Sequence, residues 1–152
     1  MSPSEIFVDS SILVGLNLGD EKAKNLVKAL VEDGNTLVIN LVVYSETSFK
    51  VILTLALRDG LKGVYDLRKN LEKYSWIYNR VIMSIETLMS AGILKIATID
   101  WNILKLSAEI GEKYNLLPND ALIAATCKHY GITKIATFDD DFKRVDFLEV
   151  VQ

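Results

Sequence analysis

The chain has 152 residues, 17 basic and 20 acidic side chains for a net charge of −3, a hydrophobic content of 50%, two prolines and one cysteine. That length suits a single domain over residues 1–152, which buries roughly two thirds of its unfolded surface, and so excludes disorder as the main state. One cysteine cannot form an internal disulfide, the start MSPSEIFVDSS lacks the basic and long apolar stretches of a signal peptide, and no apolar run approaches the roughly 18 residues of a membrane span, so the expectation is a cytoplasmic protein with no membrane contact.

In chain order, Ile6 to Val8 is the first of several short segments rich in β-branched residues and without clean alternation, the pattern of a strand buried on both faces. Glu21 to Asp33 places Ala23, Leu26, Val27, Leu30 and Val31 on one helical face and is closed by Gly34. Leu37 to Ile39 reads as a second strand, and Asn40 is placed to cap a helix that runs to about Asp59, before Gly60. Leu61 to Ala91 reads as two helices broken near Ser75, and Ile93 to Ile99 as a strand. Asp100 caps a predicted helix over Trp101 to Tyr114, and another begins at Asn119 or Asp120 after Pro118 and ends at Gly131. Ile135 to Phe138 is predicted as a strand and Phe147 to Val151 as an edge strand. Strands that alternate with helical crossovers predict an α/β fold of three α/β/α layers, with a mostly parallel central sheet of four to five strands.

Open α/β sheets bind ligands beyond the carboxyl ends of their strands, and here those ends are acidic. Ile6-Phe7-Val8 runs into Asp9, and Ile135-Ala136-Thr137-Phe138 runs into Asp139-Asp140-Asp141. Each alone also suits a turn or a cap, as Asp100 suits the cap of the helix it heads. Glu46 carries more information: helical steps from it reach Val42, Val43, Phe49, Leu53 and Leu57, an apolar stripe on which a carboxylate is costly unless paired or bound to a metal. The alternative for Glu46 is an i,i+4 pair with Lys50 at the stripe's edge. Asp120 precedes Ala121-Leu122-Ile123-Ala124-Ala125, whose small face lets the helix approach the sheet and bring Asp120 beside Asp9. Four clustered carboxylates repel one another unless a cation neutralises them, and a hard, oxygen-seeking ion such as Mg²⁺ suits such a set.

Taken together, FVDSS near the start, Tyr44-Ser45-Glu46 in the helix after the second strand, PNDALIAA at 118 to 125 and TFDDDF at 137 to 142 resemble the PIN-domain family over nearly the whole chain. The size and short N-terminus resemble the VapC-type ribonucleases of toxin–antitoxin modules. The resemblance implies a parallel sheet flanked by helices. It implies an acidic site of Asp9, Glu46, Asp120 and Asp139 holding Mg²⁺ or Mn²⁺. Asp9, Asp120 and Asp139 would be the direct metal ligands and Asp141 a further candidate; Asp140 is expected to point elsewhere, because alternate side chains of an extended stretch face opposite ways. Ser11 and Thr137 would be supporting hydroxyls, and Glu46 would bind a second ion or orient the water. The implied activity is endoribonuclease cleavage of RNA phosphodiesters by the toxin of a VapBC-type module, with a cognate antitoxin and a homodimer as the implied assembly. The alternative is a catalytically silent PIN fold that binds RNA or protein.

From Lys50 to Arg80 there are seven basic residues against three acidic ones, a local charge of +4 in a chain of −3. With Tyr65, Tyr74, Trp76 and Tyr78 interleaved, this segment reads as phosphate contacts and stacking faces for single-stranded RNA, or as a solvated helical face. A rival use is protein contact through Trp76, Tyr78, Val81, Ile82, Ile85 and Leu88. Cys127 and His129 sit two apart near a helix end, so they point in different directions and do not form a site. A phospho-acceptor, receiver-like domain also gathers aspartates at strand ends, but it wants an acidic pair beside the first strand and a lysine after the last; here Asp9 stands alone and Lys134 precedes its strand.

Overall fold

Residues 3–152 are described by a computed structural model. Five strands, β1 (Glu5–Val8), β2 (Thr36–Ile39), β3 (Leu94–Ile96), β4 (Lys134–Ala136) and β5 (Glu149–Val151), form one sheet in the order β3-β2-β1-β4-β5. Every neighbouring pair is parallel. Parallel pairing demands crossovers, and helices supply them: α1 (Ser10–Leu18) and α2 (Glu21–Glu32) join β1 to β2. Three more, α3 (Leu41–Arg58), α4 (Val64–Lys69) and α5 (Trp76–Ser90), join β2 to β3. The chain returns through α6 (Trp101–Tyr114) and α7 (Pro118–Tyr130) to β4, on the other side of β1. The strand order therefore reverses between β1 and β4, and that gap is the switch point at which open α/β sheets bind ligands.

The core consists of the sheet and the helix faces that cover it. Phe7, Val8, Leu37, Ile39, Ile135 and Ala136 are buried to the last few per cent of their surface, as strands covered on both sides require. Asn40 heads α3 as expected: its Oδ1 accepts from the Val43 amide at 3.1 Å, while its Nδ2 donates to Thr126 Oγ1 at 3.0 Å, tying α3 to α7 inside the core. Ala124 and Ala125 are fully buried, consistent with close packing of α7.

The strands predicted over Ile93 to Ile99 and Ile135 to Phe138 are shorter, ending at Ile96 and Ala136, and the structure departs from the sequence reading in three further places. Helix α1 is not among the predicted elements. Ile12, Leu13, Val14, Leu16 and Leu18 spread apolar side chains around it, so no stripe stands out, and Gly15 lowers its helix propensity. The buried face of α3 is Val43, Thr47, Ser48, Val51, Ile52 and Ala56, whereas Phe49 and Leu57 of the predicted stripe are exposed. Val81 and Ile85 belong to the core rather than to an external apolar face, so of the residues proposed for protein contact Trp76 and Tyr78 are the exposed ones, with Ile82 and Leu88 half-buried. The break near Ser75 is real: a 3₁₀ turn over Leu71–Lys73 precedes α5.

Gly15 is where α1 and α2 come closest. A Cβ built on it would lie 2.6 Å from Ala23 Cβ. Helix propensity alone favours alanine over glycine by about 1 kcal/mol, but overpacking a tight contact costs about 1–3 kcal/mol. The clash should win, so Gly15→Ala is expected to lower the urea midpoint at constant m-value; a raised midpoint would mean that the two helices part without cost.

Candidate active site

The carboxylates converge at the switch point because the elements that carry them all end or begin there. Asp9 is the first residue after β1, and its amide donates to Ala136 O at 3.0 Å, extending the β1–β4 ladder by one bond. Its side chain does not cap α1. Instead Oδ2 accepts from Thr137 Oγ1 at 2.8 Å and from Ser11 Oγ at 3.1 Å, which holds a carboxylate that is only 2% exposed. The same hydroxyls bind the chain after β4: Thr137 Oγ1 accepts from the Asp139 amide at 2.9 Å, and Ser11 Oγ accepts from the Phe138 amide at 3.0 Å. The ends of the two central strands are thus fastened to each other through two hydroxyls and one carboxylate.

Asp139 caps a 3₁₀ turn over Asp140–Arg144, accepting from the Asp141 amide at 2.9 Å. This turn returns Asp141 to the same side as Asp139 and sends Asp140 out to solvent, where it pairs with Lys143 at 2.9 Å. The expected outward position of Asp140 is correct, but its cause is the turn and not an extended backbone. Asp141 lies 3.2 Å from Arg144. Asp100 remains an ordinary cap, accepting from the Ile103 amide at 3.0 Å.

Glu46 projects from α3 and meets both readings made of it. It is paired with Lys50 at 3.8 Å, and it also faces the other acids. Ser10 links the two, for its hydroxyl accepts from Lys50 Nζ at 3.0 Å and donates to Glu46 Oε1 at 3.3 Å. Sequence reasoning missed Ser10 and Lys50 as members of the site. The signal for Lys50 was its i,i+4 spacing from Glu46, which looks the same for a surface pair.

Asp120 is the third residue of α7 and is 9% exposed. Ligand oxygens of Asp9, Glu46 and Asp120 all lie within 4.8 Å of one another, as do those of Asp120, Asp139 and Asp141, so Asp120 is common to both groups. Burial first, then the charges of Asp9, Asp139 and Glu46, push its carboxyl up to about 7, against a smaller opposing pull from Lys50. Beside it, a cleft of about 270 Å³ is lined by Glu46, Leu117, Pro118, Asn119 and Asp120, which gives the cluster access to solvent.

This donor set fits a divalent cation. It consists of carboxylate oxygens, the ligands Mg²⁺ and Mn²⁺ prefer, and a cation would favour the charged form of Asp120 against the burial and the repulsion that raise it. Cys127 is inert by contrast: it is fully buried, and burial pushes its thiol well above the usual range.

Residues 6–148 match the family profile described as PIN domain. Over 152 residues the chain is 55% identical to Ribonuclease VapC6 of Methanocaldococcus jannaschii, an alignment that covers 100% of this chain and 99% of that protein. It is 39% identical over 152 residues to Ribonuclease VapC2 of the same organism, covering 100% and 96% of the two chains. Among solved structures it is similar to a toxin–antitoxin complex from Klebsiella pneumoniae, with a TM-score of 0.63 at 21% identity and coverage of 97% and 96%. That likeness extends the agreement to the fold.

The raised carboxyl of Asp120 has a consequence for stability. Its folded value of about 7 lies above the ordinary 3.8, so the native state holds the proton more tightly than the unfolded chain. Stability contributed by the neutral acid is present below about pH 4 and is lost as pH rises towards 7. Without metal, Asp120→Asn should therefore match the wild type near pH 4 and exceed it at pH 7 to 8 in urea unfolding. Equal stabilities at both pH values would mean that Asp120 ionises freely in the fold.

Proposed function

The chain belongs to the PIN-domain family, and on that premise we propose that it is a metal-dependent endoribonuclease, the toxin of a VapBC-type toxin–antitoxin module. The observation that carries this reading is the convergence of Asp9, Glu46, Asp120, Asp139 and Asp141 on the switch point of the sheet, in two groups that share Asp120. The names of both Methanocaldococcus relatives support RNA as the substrate. The Klebsiella neighbour, a toxin with its antitoxin, supports an antitoxin partner. We further propose that residues 1–152 act as one PIN-like unit, as a homodimer in the cytoplasm. No helix among the described residues is long and apolar enough to cross a membrane.

In this reading Asp9, Asp120 and Asp139 hold Mg²⁺ or Mn²⁺, with Asp141 as a further ligand. When bound, such an ion supplies an activated water near neutral pH and offsets charge on the scissile phosphate. The protein's own groups do the rest. Ser11 and Thr137 fix Asp9 by donating to the same oxygen, so its orientation does not have to be found on binding. Glu46, tethered by Ser10 and near Lys50, orients the attacking water or takes its proton. Asp120 loses its proton as the site fills, so occupancy should rise with pH through about 7.

Calorimetry with Mg²⁺ or Mn²⁺, followed by RNA cleavage on the same samples, tests the reading. Saturable binding is expected in the wild type. Asp9→Asn and Asp120→Asn should lose it, with cleavage falling at least about 100-fold. Absence of binding in the wild type, even with RNA present, would refute the metal site and leave a silent binding module. Thr137→Val, which removes only a supporting hydroxyl, should weaken metal affinity or activity by about 10–100-fold while the protein stays folded by circular dichroism.

A further inference from the structure

We propose that the groove between α1, α3 and α5 is a second nucleic-acid subsite that holds one base and the adjoining phosphates of single-stranded RNA, a few nucleotides from the scissile bond. This rests on the ribonuclease reading for its substrate. The groove, of about 200 Å³, is lined by Asn17, Leu18 and Leu55 together with Arg58, Trp76 and Arg80. It is smaller than the roughly 300 Å³ at which small-molecule pockets begin, which favours a single flat group over a larger ligand.

Its chemistry is that of a nucleotide. Both guanidiniums are exposed, no carboxylate lines the groove, and neither arginine is in an ion pair among the described residues. Asp59, the acid next in sequence to Arg58, instead accepts from Tyr74 Oη at 2.7 Å. Arg80 is held in place by donating to Asn17 O at 3.3 Å. Trp76 is 54% exposed, yet its indole N–H is tied to Lys73 O at 3.1 Å, so the ring offers a face whose position is already set. Two guanidiniums without an acidic partner beside a fixed aromatic face match the two phosphates that flank a stacked base, and single-stranded sites are built this way. An apolar peptide would leave both guanidiniums unpaired against it.

Two of the helices that flank the groove also reach the acidic cluster. Helix α1 begins at Ser10, which bonds Glu46 and Lys50, and ends at Asn17 and Leu18 in the groove. Helix α3 carries Lys50 at the first place and Arg58 at the second, eight residues on, which is about 12 Å along a helix. A strand a few nucleotides long spans that distance.

The test is anisotropy with 5′-fluorescein-labelled U12 RNA in EDTA, over a salt series, together with steady-state cleavage of RNA in Mg²⁺ or Mn²⁺. Arg58→Gln/Arg80→Gln should weaken U12 at least about tenfold at 0.1 M salt and lower the log–log salt slope by about 1.4, which is 0.7 for each phosphate released. Trp76→Ala should weaken binding about tenfold at unchanged slope, with Trp76→Phe restoring most of it. In cleavage, the same variants should raise KM with kcat unchanged. All substituted residues are exposed, and unchanged thermal unfolding would exclude a folding defect. If the wild type cleaves RNA while the variants alter neither U12 binding nor KM, the groove proposal is overturned and the nuclease stands. Groove-dependent U12 binding without metal-dependent cleavage would keep the groove and remove the nuclease. Failure of the wild type to bind U12 would overturn the groove. So would variants that bind U12 normally but turn a dimer into monomers in sedimentation, since they would mark the groove as a protein contact.

Discussion

Carboxylates that repel one another are brought together at the end of β1 and β4, and much of the surrounding structure serves to hold them there. Asp9 is the anchor. It is buried, it continues the β1–β4 ladder through its amide, and its side chain takes both hydroxyls that also bind the chain after β4. A carboxylate so placed cannot swing away from its neighbours. Burial, and then the charges of these neighbours, bear on Asp120, which sits at the N-terminus of a packed helix and answers by holding its proton. Crowding would be an unexplained cost in a purely structural protein; at the switch point of an open parallel sheet it is the arrangement a cation needs.

Much of this was legible in the sequence, for identifiable reasons. The five strands and the parallel sheet follow from short β-branched runs separated by helical patterns, and the order of acidic blocks carries the family. Asp9, Asp120 and Asp139 are visible because each stands where a strand ends or a helix begins, and Glu46 because it interrupts an apolar run on α3, part of which is exposed. The supporting hydroxyls of Ser11 and Thr137 were expected from the resemblance, and the structure brings both onto one oxygen of Asp9. What stayed hidden depends on three-dimensional neighbours. Helix α1 is apolar nearly all round, so its periodicity is silent. The exposed Phe49 and Leu57 made the wrong face of α3 look buried, because hydrophobic side chains also lie on surfaces. Lys50 looks like any i,i+4 partner until Ser10, 40 residues away, is found hydrogen-bonded to it.

The strand order also decides between the two folds that gather aspartates in this way. A receiver-like sheet has the order 2-1-3-4-5, with its third strand beside the first. Here β4 occupies that place and β3 lies at the far edge, so Asp100, which follows the β3 segment, is kept away from Asp9 and caps α6. No acceptor aspartate can reach the site from a central third strand. A silent PIN module is disfavoured on different grounds: such a protein has no need to bury Asp120 against Asp9, Glu46 and Asp139.

Lys50 then has a particular significance. Carboxylates gathered in one site repel any anion that approaches them. The Lys50 ammonium, half-exposed, lies beside Glu46 and Ser10. It offsets part of the cluster's negative charge and opposes the rise of the Asp120 carboxyl. From there α3 leads to Arg58, so the helix that presents an acid to the reaction also carries two cations past it. Placing both signs on one rigid helix keeps their spacing constant when the substrate arrives. The net charge of −3 conceals this local placement of both signs.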